Sequence, residues 1–560
     1  MIDNFSGDRP RYLLLSKGLM RFLVAVFLFS TASTIHIFMA GPGASALGTA
    51  FSTNSLETTE VANPNGDIEA PEAASQDDDV PKPKLTEQEA AMQIISVEAR
   101  IPEDVRKPVG MTLRELQDLT DQTLVRGEKY LLDYPQGEFR MQVIPILCRL
   151  YLMNSSRTFI DATRLYKERT GVNPDPSWTK VLRANYFKRV IGHLEEALAG
   201  VGEGESDCKL VRLKADTYWH SQQYSRAIAQ YRLLVADCSS LDDMDVVRCA
   251  LLNSQLRDHD HSGAVSTADS FLENHTDSEL LPHVLHLRGK ALMEAGRLLD
   301  ALAWWKSIED VIHAAATGAP VVLGGSPVPI SAKTRADFQR YHEEINFTLG
   351  FIEFALGEYR AAEQSFREEK ELLLERQSEN SITNVGQVYI NRTDRVYDSL
   401  VRLAGKSSPP LDLGDGWIAD VSLDPIQEQG NVVLLLFAPY ENVRYRDVLK
   451  TLQELYNAHW HEGLRVAWVA IPKGQNDLPG QMAKLARDAS TKGLAFPVGM
   501  ELDKDYPSYR AYNCAVGGGT LVAIDRTGNF CWYKMDPTFR DDSIISVVAR
   551  RLLESDSGQK

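Results

Sequence analysis

The stretch NVVLLLFAPYENVR, residues 431–444, sets the seven residues Asn431–Phe437 in a nearly unbroken apolar run. It is too short for a buried helix and lacks polar alternation, so it reads as a strand covered on both faces. Working outward, Tyr445 to His459 carries apolar residues at helical spacing, and Leu464 to Ile471 reads as a second buried strand. Gly519 to Asp525 and Asn529 to Lys534 form a hairpin across Arg526-Thr527-Gly528, followed by a helix from about Asp542 to Leu553. Pro409-Pro410 marks where this β-rich pattern begins.

With its VVLLLFAP, GLRVAWVAI, FPV and GGTLVAIDRTGNF segments, residues 408–553 resemble the thioredoxin fold. The subtype they look most like is the membrane-tethered periplasmic thioredoxins that reduce apocytochromes. The resemblance implies a W-C-x-x-C motif where the first long strand enters a helix, because the helix N-terminus lowers the first thiol's pKa. In this sequence Tyr440 falls at the tryptophan and Glu441-Asn442-Val443-Arg444 at the cysteine motif. A carboxylate cannot exchange disulfides and a guanidinium cannot resolve them. The peroxiredoxin spacing, counted from Pro439, meets Val443 and Arg446 instead of Thr and Cys. The cis-proline that the resemblance implies opposite the thiols maps to Gly519, within Gly517-Gly518-Gly519. Glu441, Arg444 and Gly519 are therefore degenerate redox positions, and no catalytic residue is assigned. Cys514 and Cys531 read as core cysteines; Cys514, beside the glycine loop, is the alternative active thiol.

Upstream, from about Thr112 to Ala404, the apolar pattern is helical and repeats itself. Tyr224-x-x-Ala227-Ile228-x-x-Tyr231 recurs around Ala264 and again around Ala301 and Trp305, at equal spacing. A later copy runs through Gly350, Tyr359, Ala362 and Phe366, and a weaker one through Phe159, Ala162 and Tyr166. The pattern resembles the tetratricopeptide repeat. Small residues such as Ala215, Gly289 and Gly350 would let paired helices approach, and the aromatics would fill the space between hairpins. Four to seven hairpins fit. Asp258-His259-Asp260-His261 falls at a turn of one repeat and reads as turn chemistry rather than a metal cluster.

Arg9, Arg11, Lys17 and Arg21 precede an apolar segment from Phe22 to Ala40. As a helix it would rise about 28 Å, near the thickness of a hydrocarbon core. With Ala44-Ser45-Ala46 after it, the segment reads as either a cleaved signal peptide or a signal anchor. The basic flank stays in the cytoplasm and the rest is exported, to the periplasm or tethered facing it. The expected organisation is residues 1–46 for targeting, 47–88 as an acidic linker and 89–404 as repeats. Residues 408–553 form the thioredoxin-like domain and 554–560 a tail. The fold class is thus multidomain, an all-α array followed by an α/β domain.

The 560 residues carry a formal net charge of −17. Such a chain repels phosphate backbones, so nucleic acid is a poor partner unless a basic face is hidden in the fold. Six cysteines without a CxxC pair or zinc spacing give no metal site, and no cofactor is expected. Cys208 and Cys238 fall at adjoining ends of one repeat hairpin and are expected to form a disulfide in an oxidising compartment. No hydrolase or nucleotide motif is present. The sequence reading is a non-catalytic adaptor binding proteins or peptides, and touching membrane only through an uncleaved N-terminal segment. The alternative is a thiol–disulfide oxidoreductase or peroxiredoxin-like enzyme using Cys514.

Overall fold

The computed structural model describes residues 85–98, 112–171, 174, 176–200, 207–238, 241–323, 326–379, 382, 384–418, 423, 430–442, 445–514, 518–538 and 541–555. The N-terminal apolar segment, most of the acidic stretch after it, Arg444 and residues 556–560 lie outside these. The chain divides into two compact units, one up to Gln222 and one from Gln223 onward.

Among the described residues the first unit holds five helices: α1 (Glu87–Glu98), α2 (Leu113–Asp133), α3 (Arg140–Thr170), α4 (Pro176–Ala199) and α5 (Cys208–His220). Helix α1 starts two residues inside the expected linker. A reciprocal cap explains the difference: Thr86 N donates to Glu89 Oε2 at 2.9 Å and Glu89 N to Thr86 Oγ1 at 3.3 Å. Ala91, Ile94 and Val97 are buried on the inner side of α1, which packs against α2 and α3. Helix α2 opens on a second such cap, at Thr112 and Glu115, and stops before Pro135. The weak repeat copy at Phe159, Ala162 and Tyr166 lies in the middle of the 31-residue helix α3, with no turn before it. It therefore does not begin a second helix.

The second unit begins with α6 (Tyr224–Asp237), α7 (Met244–Arg257), α8 (His261–Asn274), α9 (Leu281–Glu294) and α10 (Leu298–Thr317). The short hairpin β1 (Val321–Leu323) and β2 (Ser326–Val328) occupies the Gly/Pro-rich insertion. Then come α11 (Ala332–His342), α12 (Ile345–Leu356), α13 (Tyr359–Ser378) and α14 (Asn384–Leu403). The pairs α7/α8, α9/α10 and α12/α13 are antiparallel hairpins stacked with repeat-like packing. Ala227, Ala264, Ala301 and Ala362 are wholly buried, as are Tyr231, Trp305 and Phe366, while Tyr224 and Tyr359 are half-buried at helix starts. The small-residue logic is direct. A Cβ on Gly289 would lie 2.4 Å from the Trp305 indole, and one on Gly350 would lie 3.1 Å from the Phe366 ring.

The same unit ends in a five-stranded sheet. It is built from β3 (Val432–Pro439), α15 (Arg446–His459), β4 (Leu464–Ile471), α16 (Leu478–Thr491), β5 (Val498–Met500), α17 (Pro507–Ala511), β6 (Thr520–Ile524), β7 (Phe530–Met535) and α18 (Asp542–Glu554). The strand order is β5-β4-β3-β6-β7, with β3, β4 and β5 parallel and β6 and β7 antiparallel to their neighbours. That order is the thioredoxin-like one. Leu435 pairs with Ala467 on one side and Val522 on the other, so the apolar run at 432–438 is central and wholly buried. Helices α15 and α18 pack on each other beside it. Helix α18 includes Glu554, one residue into the expected tail.

Repeats and sheet share one compact unit because they are fastened together. The hairpin-turn glycines Gly296 and Gly357 lie against Val547 and Arg551 of α18. Phe351 of α12 meets Trp532 of β7 at 6.0 Å between ring centroids, and Lys534 lies 4.3 Å over the Phe351 ring.

Candidate functional site

Of the expected redox positions, Glu441 lies just past the end of β3. Strand β3 delivers Tyr440 and Glu441 into the loop before α15, as the sequence order requires. Glu441 Oε1 accepts from Lys484 Nζ at 2.9 Å and from the Tyr440 hydroxyl at 3.0 Å, and Lys473 Nζ stands 3.5 Å from Oε2. The bond from Lys484 holds the Glu441 carboxyl below the usual carboxylate range. Lys484 also lies 5.7 Å over the Tyr440 ring. Glu441 is thus a fixed carboxylate with its own counter-cations.

Gly519 sits just before β6, facing the loop. A Cβ there would lie 2.3 Å from Cε1 of Tyr445 and 2.7 Å from its hydroxyl oxygen. Tyr445, only 2 % exposed, thus fills the space that a side chain at 519 would need. Its hydroxyl donates to Asp536 Oδ1 at 3.2 Å, and Gly519 N donates to the same oxygen at 3.3 Å. Asp536 N returns a bond to Gly519 O at 2.7 Å. The glycine is thus explained by its contact with an aromatic ring, and a proline ring would collide there. Tyr445 and Asp536 were not singled out by the sequence. Their only signal was the glycine at 519, which calls for a close neighbour.

Cys514 is buried behind this place. Its Sγ lies 3.8 Å from Tyr512 O, and burial pushes its thiol well above the ordinary range. Helix α14 fixes the segment around it. Arg395 Nη1 donates to Cys514 O at 3.3 Å, and Asn513 Nδ2 donates to Arg395 O and Ser399 Oγ at 3.1 and 2.9 Å. Asn513 takes a left-handed backbone conformation, φ 54°, which asparagine tolerates better than most residues. Cys531 is buried too; its Sγ lies 3.3 Å from Asp525 Oδ2, and burial pushes it up to about 12. Neither thiol meets the requirements of a nucleophile, which are partial exposure and a lowered pKa.

The remaining expected positions are dispersed. Cys208 is the first residue of α5 and Cys238 the residue capping α6; the four free thiols are Cys148, Cys249, Cys514 and Cys531. In the Asp258–His261 turn, Asp260 Oδ1 accepts from Gly263 N at 2.9 Å and so caps α8. Among the described residues no metal-holding group of three or more side chains forms, and no helix is long and apolar enough to cross a membrane.

Comparison with known proteins closes the description. No family model and no curated protein matches the sequence. Among solved structures, the chain is similar to a thiol:disulfide interchange protein of the thioredoxin family from Chlorobium tepidum TLS. They share 16% identity over 27% of this chain and 97% of that one, with a TM-score of 0.22. It is also similar to a thiol-disulfide isomerase from Corynebacterium glutamicum, at 16% identity over 26% of this chain and 97% of that one, TM-score 0.23. The thioredoxin domain of a thiol-disulfide oxidoreductase from Bacteroides vulgatus is similar at 16% identity, over 27% and 97% of the two chains, with a TM-score of 0.22. About a quarter of the chain is thus similar to thioredoxin-like proteins, in fold alone.

Proposed function

We propose that this protein is a non-catalytic adaptor of the cell envelope, binding partner proteins through helical repeats of the tetratricopeptide kind and a redox-inactive thioredoxin-like domain. The observation that carries the reading is the occupied redox position. Glu441 is tied to Lys484, and the Tyr445 ring packs on Gly519, so both the nucleophile and the substrate-facing turn are replaced. A fold kept without its chemistry serves as scaffold or recognition surface. The repeat assignment rests on the evenly spaced buried alanines and on the glycine–aromatic contacts at Gly289/Trp305 and Gly350/Phe366. The envelope assignment rests on the basic flank before the apolar segment at Phe22–Ala40.

The second reading, an oxidoreductase using Cys514, draws on the neighbours' fold and meets the burial of that thiol. One experiment separates the two. Insulin reduction by the purified chain should equal the protein-free rate, and Cys514 should resist iodoacetamide at neutral pH until the protein is unfolded. Turnover at thioredoxin-like rates, abolished by Cys514→Ala, would establish the oxidoreductase instead.

A further inference from the structure

Along α13 the residues Ala362, Phe366, Glu369 and Leu373 follow at spacings of four, three and four, the stripe that a helix turns inward. All four are wholly buried, so a carboxyl stands where the pattern calls for an apolar side chain. Neither oxygen of Glu369 makes a hydrogen bond within normal limits among the described residues. A charge left in such a place is neutralised, by a partner or by a proton.

No cation is left over to be that partner. Glu343 and Glu344, the two residues that join α11 to α12, are buried as well. Arg376, two turns on along α13, has both ends of its guanidinium engaged: Nη1 donates to Glu343 Oε1 at 2.9 Å and Nη2 to His342 Nδ1 at 2.8 Å. His342, pushed down to about 4 by burial and so neutral, adds no charge, and its Nε2 lies 3.2 Å from His313 Nδ1 of α10. Glu344 Oε1 has His286 Nδ1 of α9 at 3.0 Å. From α14 comes Tyr389, with Arg392 5.9 Å from its ring centre. Glu353 of α12 is turned to Lys306 and Ser365, at 2.9 and 2.7 Å. Glu343 and Glu344 thus each face a basic side chain, while Glu369 forms no ion pair of its own. Burial and the charges of Glu344 and Glu343 hold the Glu369 carboxyl well above its ordinary range, outweighing the Phe347 amide and Arg376.

We propose that Glu369 is a proton-operated latch on the seam between α13 and the link that joins α11 to α12. With the proton in place, the seam closes over three carboxyl groups of which two are charged. With the proton gone, a third negative charge is shut in with Glu343 and Glu344, and the seam opens to let it reach water. Helix α12 also carries Phe351 against Trp532 of β7, so the latch lies in the repeat that holds the sheet. A carboxyl whose folded pKa is raised adds stability while protonated. That contribution is complete below the unfolded value of about 4.3 and is lost as pH rises through the higher folded one.

The test compares the full chain with Glu369→Gln by amide exchange at matched pH, which cancels the intrinsic effect of pH on the rates. Glutamine copies the shape of the protonated acid and has no proton to lose. One proton released on opening makes the ratio of opening constants, wild type over variant, rise by up to tenfold per pH unit above about pH 5. The rise should appear in α12, α13 and the link, and level off once the folded carboxyl ionises. Glu344→Gln keeps Glu369 but removes a like charge, so its own opening should grow less steeply with pH than that of the wild type. A ratio flat with pH, or a slope that Glu344→Gln leaves unchanged, overturns the proposal. So does a Glu369→Gln chain less protected than the wild type at every pH, because a carboxylate rather than a proton would then hold the seam. An equal rise in α7 and α8 overturns it too, since the proton would then govern the whole unit and not this seam.

Discussion

A methyl group at position 519 would stand 2.3 Å from Cε1 of Tyr445, closer than real atoms approach. Tyr445 cannot retreat easily, because its hydroxyl is bonded to Asp536 and it is almost wholly buried. Gly519→Ala should therefore destabilise the protein by about 1–3 kcal/mol through overpacking. The cost should largely vanish beside Tyr445→Ala, which empties the contested space. A double-mutant cycle by urea unfolding measures this coupling, and additive effects of the two substitutions would refute the contact. A second prediction belongs to the cysteines. Cys208 and Cys238, at the start of α5 and the end of α6, are proposed to be bridged, closing a loop of about thirty residues worth roughly 3 to 4 kcal/mol. Peptide mapping without reductant should recover the linked pair; alkylation of both thiols in the unreduced protein would exclude it.

Among the elements, α18 begins with a carboxyl that its surroundings oppose. Burial raises the Asp542 pKa to about 6, with a smaller push from Asp541, Asp447 and Glu454, and Oδ1 has no hydrogen-bond partner. A carboxyl whose folded pKa lies above its unfolded one adds stability in its protonated form. That contribution is complete below the unfolded value near 3.9 and is lost as pH rises through about 6. Asp542→Asn should thus stabilise the protein at pH 7.5 by about 1 kcal/mol after allowing for solvent screening, and change little near pH 4. An unfolding midpoint displaced equally at both pH values would refute this origin. The element scale is also where the sequence was most readable. The apolar run at 432–438 could only be a central strand, and Gly289 and Gly350 marked helix contacts that their aromatic partners complete. Only the first two residues of helix α1, Glu87 and Gln88, were assigned to the linker, because its cap, Thr86 with Glu89, sits inside a polar stretch. The unbroken α3 was misread because Phe159, Ala162 and Tyr166 keep a repeat's spacing without the turn that gives it meaning. Tyr445 and Asp536 escaped notice because their roles arise from contacts 74 and 17 positions away from Gly519, which no local pattern encodes.

On the scale of the whole second unit, the hairpins and the sheet are joined through one helix. Ser543, Val547 and Arg551 recur at four-residue intervals on α18 and so share one side of it. Gly296 meets the first two of these residues and Gly357 the third. The turns of two hairpins therefore grip a helix whose opposite side carries Ile544, Ile545 and Val548 into the sheet's core. Glycine is needed at both turns, with φ of 72° and 85°, and its missing side chain is what lets α18 come so close. Loosening that grip should be felt on both sides. In Val547→Lys, a long cation would be forced against the Gly296 turn, where a Cβ already has Val547 within 3.1 Å. Amide exchange should then accelerate in α9 and the start of α10 as well as in α18, while α7 and α8, which precede the Gly296 turn by a whole hairpin, change less. Acceleration confined to α18 would mean that repeats and sheet open independently. Matching acceleration across all of these helices would mean instead that they form one cooperative block, in which the repeats fold only with the domain they brace.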